Sequence, residues 1–213
     1  MDYIKKPMAI ENGSMDIIES EMANPKAFTP NELKVVKRVI HTTADFEYED
    51  LITFSPNVID EMLKAVKGGK KIYSDTNMIS VAVNRILLKK YGIEIVNYVH
   101  DQDVSEKAKE LGITRSMVAM EKAFLDKTIG IFLIGNAPTA LLRLMELSEE
   151  YNRKPDVIIG VPVGFVGAAE SKAELIKRDF NYISIKGRKG GSPVAAAIMN
   201  AVLQIHEENN NAS

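Results

Sequence analysis

Five short apolar runs punctuate the chain: KKIYS (70–74), IEIVNYV (93–99), IGIFLIG (129–135), DVIIGV (156–161) and NYISIK (181–186). They are rich in Ile, Val, Tyr and Phe and bounded by turn residues, the pattern of buried strands. Between them the apolar period lengthens to that of helices. MISVAVNRILLKKYG (78–92) ends on Gly92, SEKAKELG (105–112) ends on Gly112, and SMVAMEKAFL (116–125) follows. APTALLRLMELSEEY (137–151) carries Pro138 near its first helical position. AAESKAELIKRDF (168–180) and SPVAAAIMNAVLQIHEE (192–208) complete the set. Strands alternating with helices predict parallel βαβ units in a three-layer α/β fold.

The residues ahead of the first run are helical in pattern. TPNELKVVKRVI has Thr29 as N-cap, Pro30 at the first position and Glu32 completing a capping box. SPNVIDEMLKAVKGG repeats the Ser-Pro opening and stops at Gly68 and Gly69. No linker or internal repeat interrupts the pattern, so residues 1–213 are expected to form a single domain, with the polar tail 207–213 frayed.

A chain of 213 residues can bury well over half of its unfolded surface. Its net charge of 27 − 29 = −2 includes no basic run, which argues against a nucleic-acid partner. The absence of cysteine excludes disulfides, thiolate nucleophiles and Cys-based zinc sites, and it fits a cytoplasmic location. The first residues hold no apolar run of signal-peptide length, and no segment approaches the roughly 18 apolar residues that suggest a membrane span.

In open parallel sheets ligands bind beyond the carboxyl ends of the strands. The corresponding loops are SDTNM (74–78), HDQDVS (100–105), GNAPT (135–139), PVGFVGAAESK (162–172) and KGRKGGSP (186–193). Three hold glycines near a helix start, where free N–H groups and the helix dipole favour an anion. KGRKGGSP is the richest: Arg188 and Lys189 add charge, Gly190 and Gly191 allow close approach, and Ser192 can cap the next helix. An ordinary strand-to-helix turn with solvated cations explains this loop equally well. It has neither Walker spacing nor dinucleotide-loop spacing, and Gly164 and Gly167 do not supply them.

HDQD offers His100, Asp101 and Asp103 to a metal, but the spacing is too tight for one helical face and reads as a polar loop. His206, beside Glu207 and Glu208, reads as a solvated helix-end residue. In TRSMVAM, Thr114 or Ser116 can cap a helix and Arg115 can reach an acid. His41 closes the capped helix that begins at Pro30. An imidazolium is favourable at a helix C-terminus, and histidine is also the side chain that exchanges protons near neutral pH. There is no nucleophile elbow, and Asp45 forms no triad with it.

The segments IENGSMDIIESE, VIHTTADFEYEDLITFSP, ITRSMVAM, IGNAPTALLRLMEL, GVPVGFVGAAESK and GRKGGSPVAAAIMNA resemble the precorrin-8X methylmutase family, in the same order, over about residues 3–203. The resemblance implies a flavodoxin-like fold with a five-stranded parallel sheet, a homodimer and no dissociable cofactor. It implies a 1,5-sigmatropic shift of a methyl group from C-11 to C-12 of a tetrapyrrole, cobalt-bound or metal-free, in cobalamin biosynthesis. The family's catalytic histidine matches His41, and Ser14 and Arg115 match substrate contacts. Ser116, Asn136, Gly164, Gly167, Arg188, Gly190, Gly191 and Ser192 are expected to line the substrate with N–H groups and a few cations. An internal methyl shift needs no covalent nucleophile or metal ligand set, which suits a chain without cysteine or triad. Two rival readings are a non-catalytic corrinoid carrier and a phosphate-binding flavodoxin-like module.

Overall fold

The sheet is built on the run Ile129–Ile134, all six residues of which are buried. A computed structural model describes residues 7–211 of the chain. The helices are α1 (Pro7–Glu21), α2 (Pro30–Thr43), α3 (Tyr48–Leu51), α4 (Val58–Lys67), α5 (Asn77–Ala82) and α6 (Arg85–Lys90) in the first half. The second half holds α7 (Gln102–Leu111), α8 (Arg115–Leu125), α9 (Pro138–Glu150), α10 (Ala168–Lys177) and α11 (Ser192–Asn211). The strands are β1 (Ile52–Phe54), β2 (Lys71–Ser74), β3 (Ile95–Val96), β4 (Ile129–Ile134), β5 (Val157–Gly160) and β6 (Tyr182–Ile185).

All five expected strands are present and mutually parallel. The expectation of a five-stranded parallel sheet is nevertheless corrected: the sheet has six strands in the order β1-β6-β5-β4-β2-β3, and β1 runs antiparallel along β6. Three residues sitting directly behind a helical turn give too short a pattern to read as a strand. Ser55 prolongs the pairing, its hydroxyl accepting from Tyr182 N–H at 2.8 Å. It is therefore not the cap of α4; Asn57 holds that position at φ 59°. Counted alone, the five parallel strands follow the doubly wound order 2-1-3-4-5, whose switch point lies between β2 and β4.

Alternation along the strands feeds two cores. Ile72, Ile131, Leu133, Ile159 and Ile183 face a layer with residues of α2, α4, α5 and α11. Tyr73, Phe132, Ile134, Ile158 and Tyr182 face α7 to α10. The Thr29–Glu32 capping box opens α2 as expected, and Val35, Val36, Val39 and Ile40 bury its inner face.

The helix expected over 78–92 is two helices. Val83 and Asn84 are extended between them, and the Asn84 side chain accepts from Ile86 N–H (3.0 Å) and Leu87 N–H (3.1 Å) to start α6. At the other end of the chain, α11 runs through Asn211, and Glu207 binds Lys90 at 2.6 Å. Residues 207–211, expected to fray, are helical; 212 and 213 lie outside the described residues. Among the described residues no helix is long and apolar enough to cross a membrane.

Candidate functional site

The carboxyl edge of the sheet is closed by contacts among its own loops. Asp75, directly after β2, is buried and accepts the N–H groups of Gly135 (3.0 Å), Asn136 (2.8 Å) and Ala137 (2.8 Å). Burial pushes its carboxyl above the usual range, against the pull of these three donors. The three N–H groups open α9 at the switch point, where a fold of this winding order seats a phosphate. A carboxylate of the chain itself fills that seat, which removes the basis for the phosphate-module reading.

The remaining loops interlock. Thr76 Oγ1 and Ser192 Oγ lie 2.9 Å apart. The backbone at Gly135 passes so close to Ser192 that an added Cβ would meet its N and Cα at 2.8 Å. Gly191 N–H donates to Val161 O (2.8 Å) and Gly164 N–H to Arg188 O (3.2 Å). The N–H groups of Gly164, Gly191, Gly135 and Asn136, which the sequence offered to an anion, are thus engaged within the protein. The glycines serve close packing first.

His41 stands at the exposed margin of the buried stripe of α2, near its C-terminus. The helix stops at Ala44, which turns left-handed at φ 52° and returns its N–H to Ile40 O at 2.7 Å. Beside His41 opens a cleft of about 440 Å³ between α2, α11 and the α5–α6 break. Pro193, Ala196 and Ala197 of α11 give it an apolar wall, and Glu11, Arg38, Asn84 and Asn200 give it polar groups. Arg38 Nη2 is bound to Glu11 Oε1 at 2.7 Å. Asn200 accepts from Asn84 N–H (2.8 Å) and donates to Ala82 O (3.0 Å), which fixes both amides at the break. The arrangement offers a proton carrier, one arginine and oriented amides around an apolar surface.

The 187–191 loop faces the turn after α2. Lys189 Nζ binds Asp45, and Glu47 at 2.7 Å. The two acids hold its ammonium well above the ordinary lysine range. Lys189, read from sequence as a free cation, is therefore committed to the protein. Arg188 is exposed, its guanidinium carbon 5.5 Å from the Phe165 ring centroid. Beneath the loop lies Lys172, fully buried, whose ammonium donates to the Lys189 carbonyl. Burial pushes that ammonium down to about 8.

The other expected residues are distributed along this edge. Arg115 is exposed as the first residue of α8, and Thr114, not Ser116, caps that helix by accepting Met117 N–H at 3.3 Å. Thr114 Oγ1 lies 3.2 Å from Thr139 Oγ1, which joins the starts of α8 and α9. Asn136 is exposed above Asp75, and Gly167 precedes α10 at φ 75°. None of Arg115, Ser116, Asn136, Gly164, Gly167 or Arg188 lines the His41 cleft. Ser14 does not line it either; its hydroxyl donates to Ile10 O at 2.8 Å within α1, and Glu11 is the α1 residue that does.

The other two histidines resolve differently. Asp101 and Asp103, beside His100, converge on Lys122 at 2.7 and 2.8 Å, so a lysine holds what the sequence offered to a metal. His206 is corrected: it is buried, with its ring 4.4 Å from that of Tyr91 and its Nε2 3.1 Å from Asn210 Nδ2. Arg38, Asn84 and Asn200 were not distinguished in the sequence. Only the conjunction of a helix break and a distant helix brings them to His41.

A family model described as precorrin-8X methylmutase matches residues 9–205. The chain is 45% identical over 197 residues to the cobalt-precorrin-8 methylmutase of Priestia megaterium, covering 92% of this chain and 87% of that one. It is 42% identical over 208 residues to the cobalt-precorrin-8 methylmutase of Salmonella typhimurium, covering 95% and 97%. The crystal structure of a precorrin-8X methylmutase from Thermus thermophilus superposes with a TM-score of 0.87 at 36% identity, over 95% of this chain and 97% of that one.

Proposed function

The chain belongs to the precorrin-8X methylmutase family, and we propose that it moves a methyl group of cobalt-precorrin-8 from C-11 to C-12 with His41 as the proton carrier. The protein is an isomerase of cobalamin biosynthesis that shifts a methyl group within its substrate. That activity takes the place of the carrier reading.

The observation that carries the role of His41 is its place in the wall of the cleft, which it shares with the apolar stretch of α11. A 1,5-shift conserves every atom: the bond from C-11 to the methyl breaks as the bond from C-12 forms, and nothing enters or leaves. The protein's task is to hold the ring near the reacting geometry and to time a proton. Pro193, Ala196 and Ala197 suit the flat apolar ring. Arg115 and Arg188, exposed along the edge, suit its acetate and propionate carboxylates, while Arg38 in the cleft is paired with Glu11. His41 gives a proton to the conjugated system beside the migrating methyl and takes one back as the double bonds settle.

Both relatives described above are named for the cobalt-bound substrate. In parallel assays with cobalt-precorrin-8 and metal-free precorrin-8X, followed by the visible spectrum, the cobalt form should be converted over many equivalents of enzyme and with the higher kcat/KM. Faster conversion of the metal-free form would reverse the assignment.

A homodimer completes the reading. Met78, Val81 and Ile86 on α5 and α6 are 60%, 66% and 80% exposed, beside the cleft residues Ala82, Asn84 and Leu87. Apolar side chains grouped in this way favour a protein partner, and a second copy here would border the cleft. Sedimentation equilibrium should give twice the chain mass, and Ile86→Glu should lower it toward the single chain. A monomeric wild type would overturn this assignment.

A further inference from the structure

Lys172 is a cation in the wrong place for a surface residue. It is fully buried, it forms no ion pair among the described residues, and its ammonium donates a hydrogen bond to the Lys189 carbonyl. Burying a charge without a counter-charge is costly, and an apolar side chain of the same length removes the cost. The ammonium is therefore best understood through what it holds, which is the main chain of Lys189.

Lys189 continues the connection on the other side. Its ammonium binds Asp45 and Glu47, the acids that follow the end of α2, and stands 5.8 Å from the ring centroid of the buried Tyr48. The loop is held against the end of β5: Gly191 N–H donates to Val161 O at 2.8 Å, and Gly190 lies so close to Val161 that an added Cβ would fall 2.2 Å from its carbonyl oxygen. Asp45 follows His41 by four residues, with the left-handed Ala44 between them. A line of contacts thus runs from the interior of α10 through the loop to the helix end that bears His41.

We propose that Lys172 and Lys189 act together as a positioning strap for His41: Lys172 fixes the Lys189 main chain, and the Lys189 side chain fixes the turn that ends α2. The catalytic consequence rests on the reading of His41 as proton carrier; the geometric content does not. Neither lysine needs to touch the substrate.

The test uses the full chain with cobalt-precorrin-8, and the imidazole resonances of the free protein. The His41 resonance is assigned by its absence from His41→Ala. Lys172→Met keeps the side-chain length and removes the charge. It should leave Tm unchanged or raised, shift the His41 resonance, and lower kcat by about 10-fold or more with KM within about 3-fold. Lys189→Met, at a partly exposed position, should do the same and carries the test alone if Lys172→Met does not fold. Lys189→Arg, which can still reach both acids, should restore most of kcat. The double variant should be no slower than the slower single one, since both cut the same connection. An unmoved His41 resonance with kcat within about 2-fold of wild type in both single variants would overturn the strap, as would a rise in KM alone in Lys189→Met. A shifted resonance with unchanged kcat would support the strap and remove His41 from the chemistry instead.

Discussion

Replacing His41 by alanine is expected to lower kcat by about 100- to 10,000-fold, the range over which a positioned acid–base group contributes. The fold should hardly register the change. His41 is exposed, and its neighbours Val39 and Ile40 carry the packing of that turn. Near the end of α2 the change also brings the better helix propensity of alanine, about 0.5 kcal/mol. Tm should thus stay within about 3 °C of wild type. Binding should persist, because the apolar wall and the arginines remain. A titration of the variant with cobalt-precorrin-8 should show saturable spectral shifts without product. His41→Asn separates two roles, since asparagine donates a hydrogen bond but carries no proton between atoms. Near-wild-type turnover in His41→Asn would mean that the imidazole only orients the ring, and near-wild-type turnover in His41→Ala would end its role altogether.

Gly190→Ala should damage both stability and activity. Gly190 sits at φ 143°, and an added Cβ would meet Val161 O at 2.2 Å and Val161 C at 3.0 Å, atoms of a buried strand end that have little room to yield. Strain and overpacking together are worth about 2–5 kcal/mol, which for a chain of this size is roughly 5–15 °C in Tm. The displaced loop would draw Lys189 off Asp45 and Glu47, so turnover should fall even in the fraction that stays folded. Gly187→Ala is the matched control. It also has positive φ, at 73°, but an added Cβ meets nothing within 4 Å, so about 1 kcal/mol is expected and turnover should be nearly kept. Equal losses in the two variants would show that backbone conformation, not the contact with Val161, sets the cost.

The five parallel strands were legible because each is a dense apolar run with turn residues on both sides, and their loops were legible because glycine, proline and small polar residues mark them. β1 was hidden by its length of three residues and by its partner, which lies far along the chain. The α5–α6 break was hidden because VAVNRI continues a helical period; the side chain of Asn200 and the cap made by Asn84 decide against it. Lys172 reads as an ordinary helical lysine, and nothing local distinguishes a buried one from a solvated one. Lys189 was seen as a charge, but its partners are set by the path of the chain between residues 43 and 48. The loops therefore marked the carboxyl edge of the sheet, while the wall around His41 depended on tertiary neighbours that no local pattern contains.

The antiparallel strand at the sheet margin bears on how the molecule comes to be made. Ile52 pairs with Ile185, 133 residues later (185 − 52), and α2 packs against α11, which begins 151 residues after His41 (192 − 41). Contacts of such separation form late, since the intervening chain must first be closed into place. During synthesis the segment bearing His41 leaves the ribosome early and waits for the last helix before it can dock. The parallel strands from 71 to 185 can assemble in the meantime. The end that bears His41 is then the last part completed, and a chain cut before α11 would lack the Pro193, Ala196 and Ala197 wall of the cleft and leave one face of its sheet uncovered.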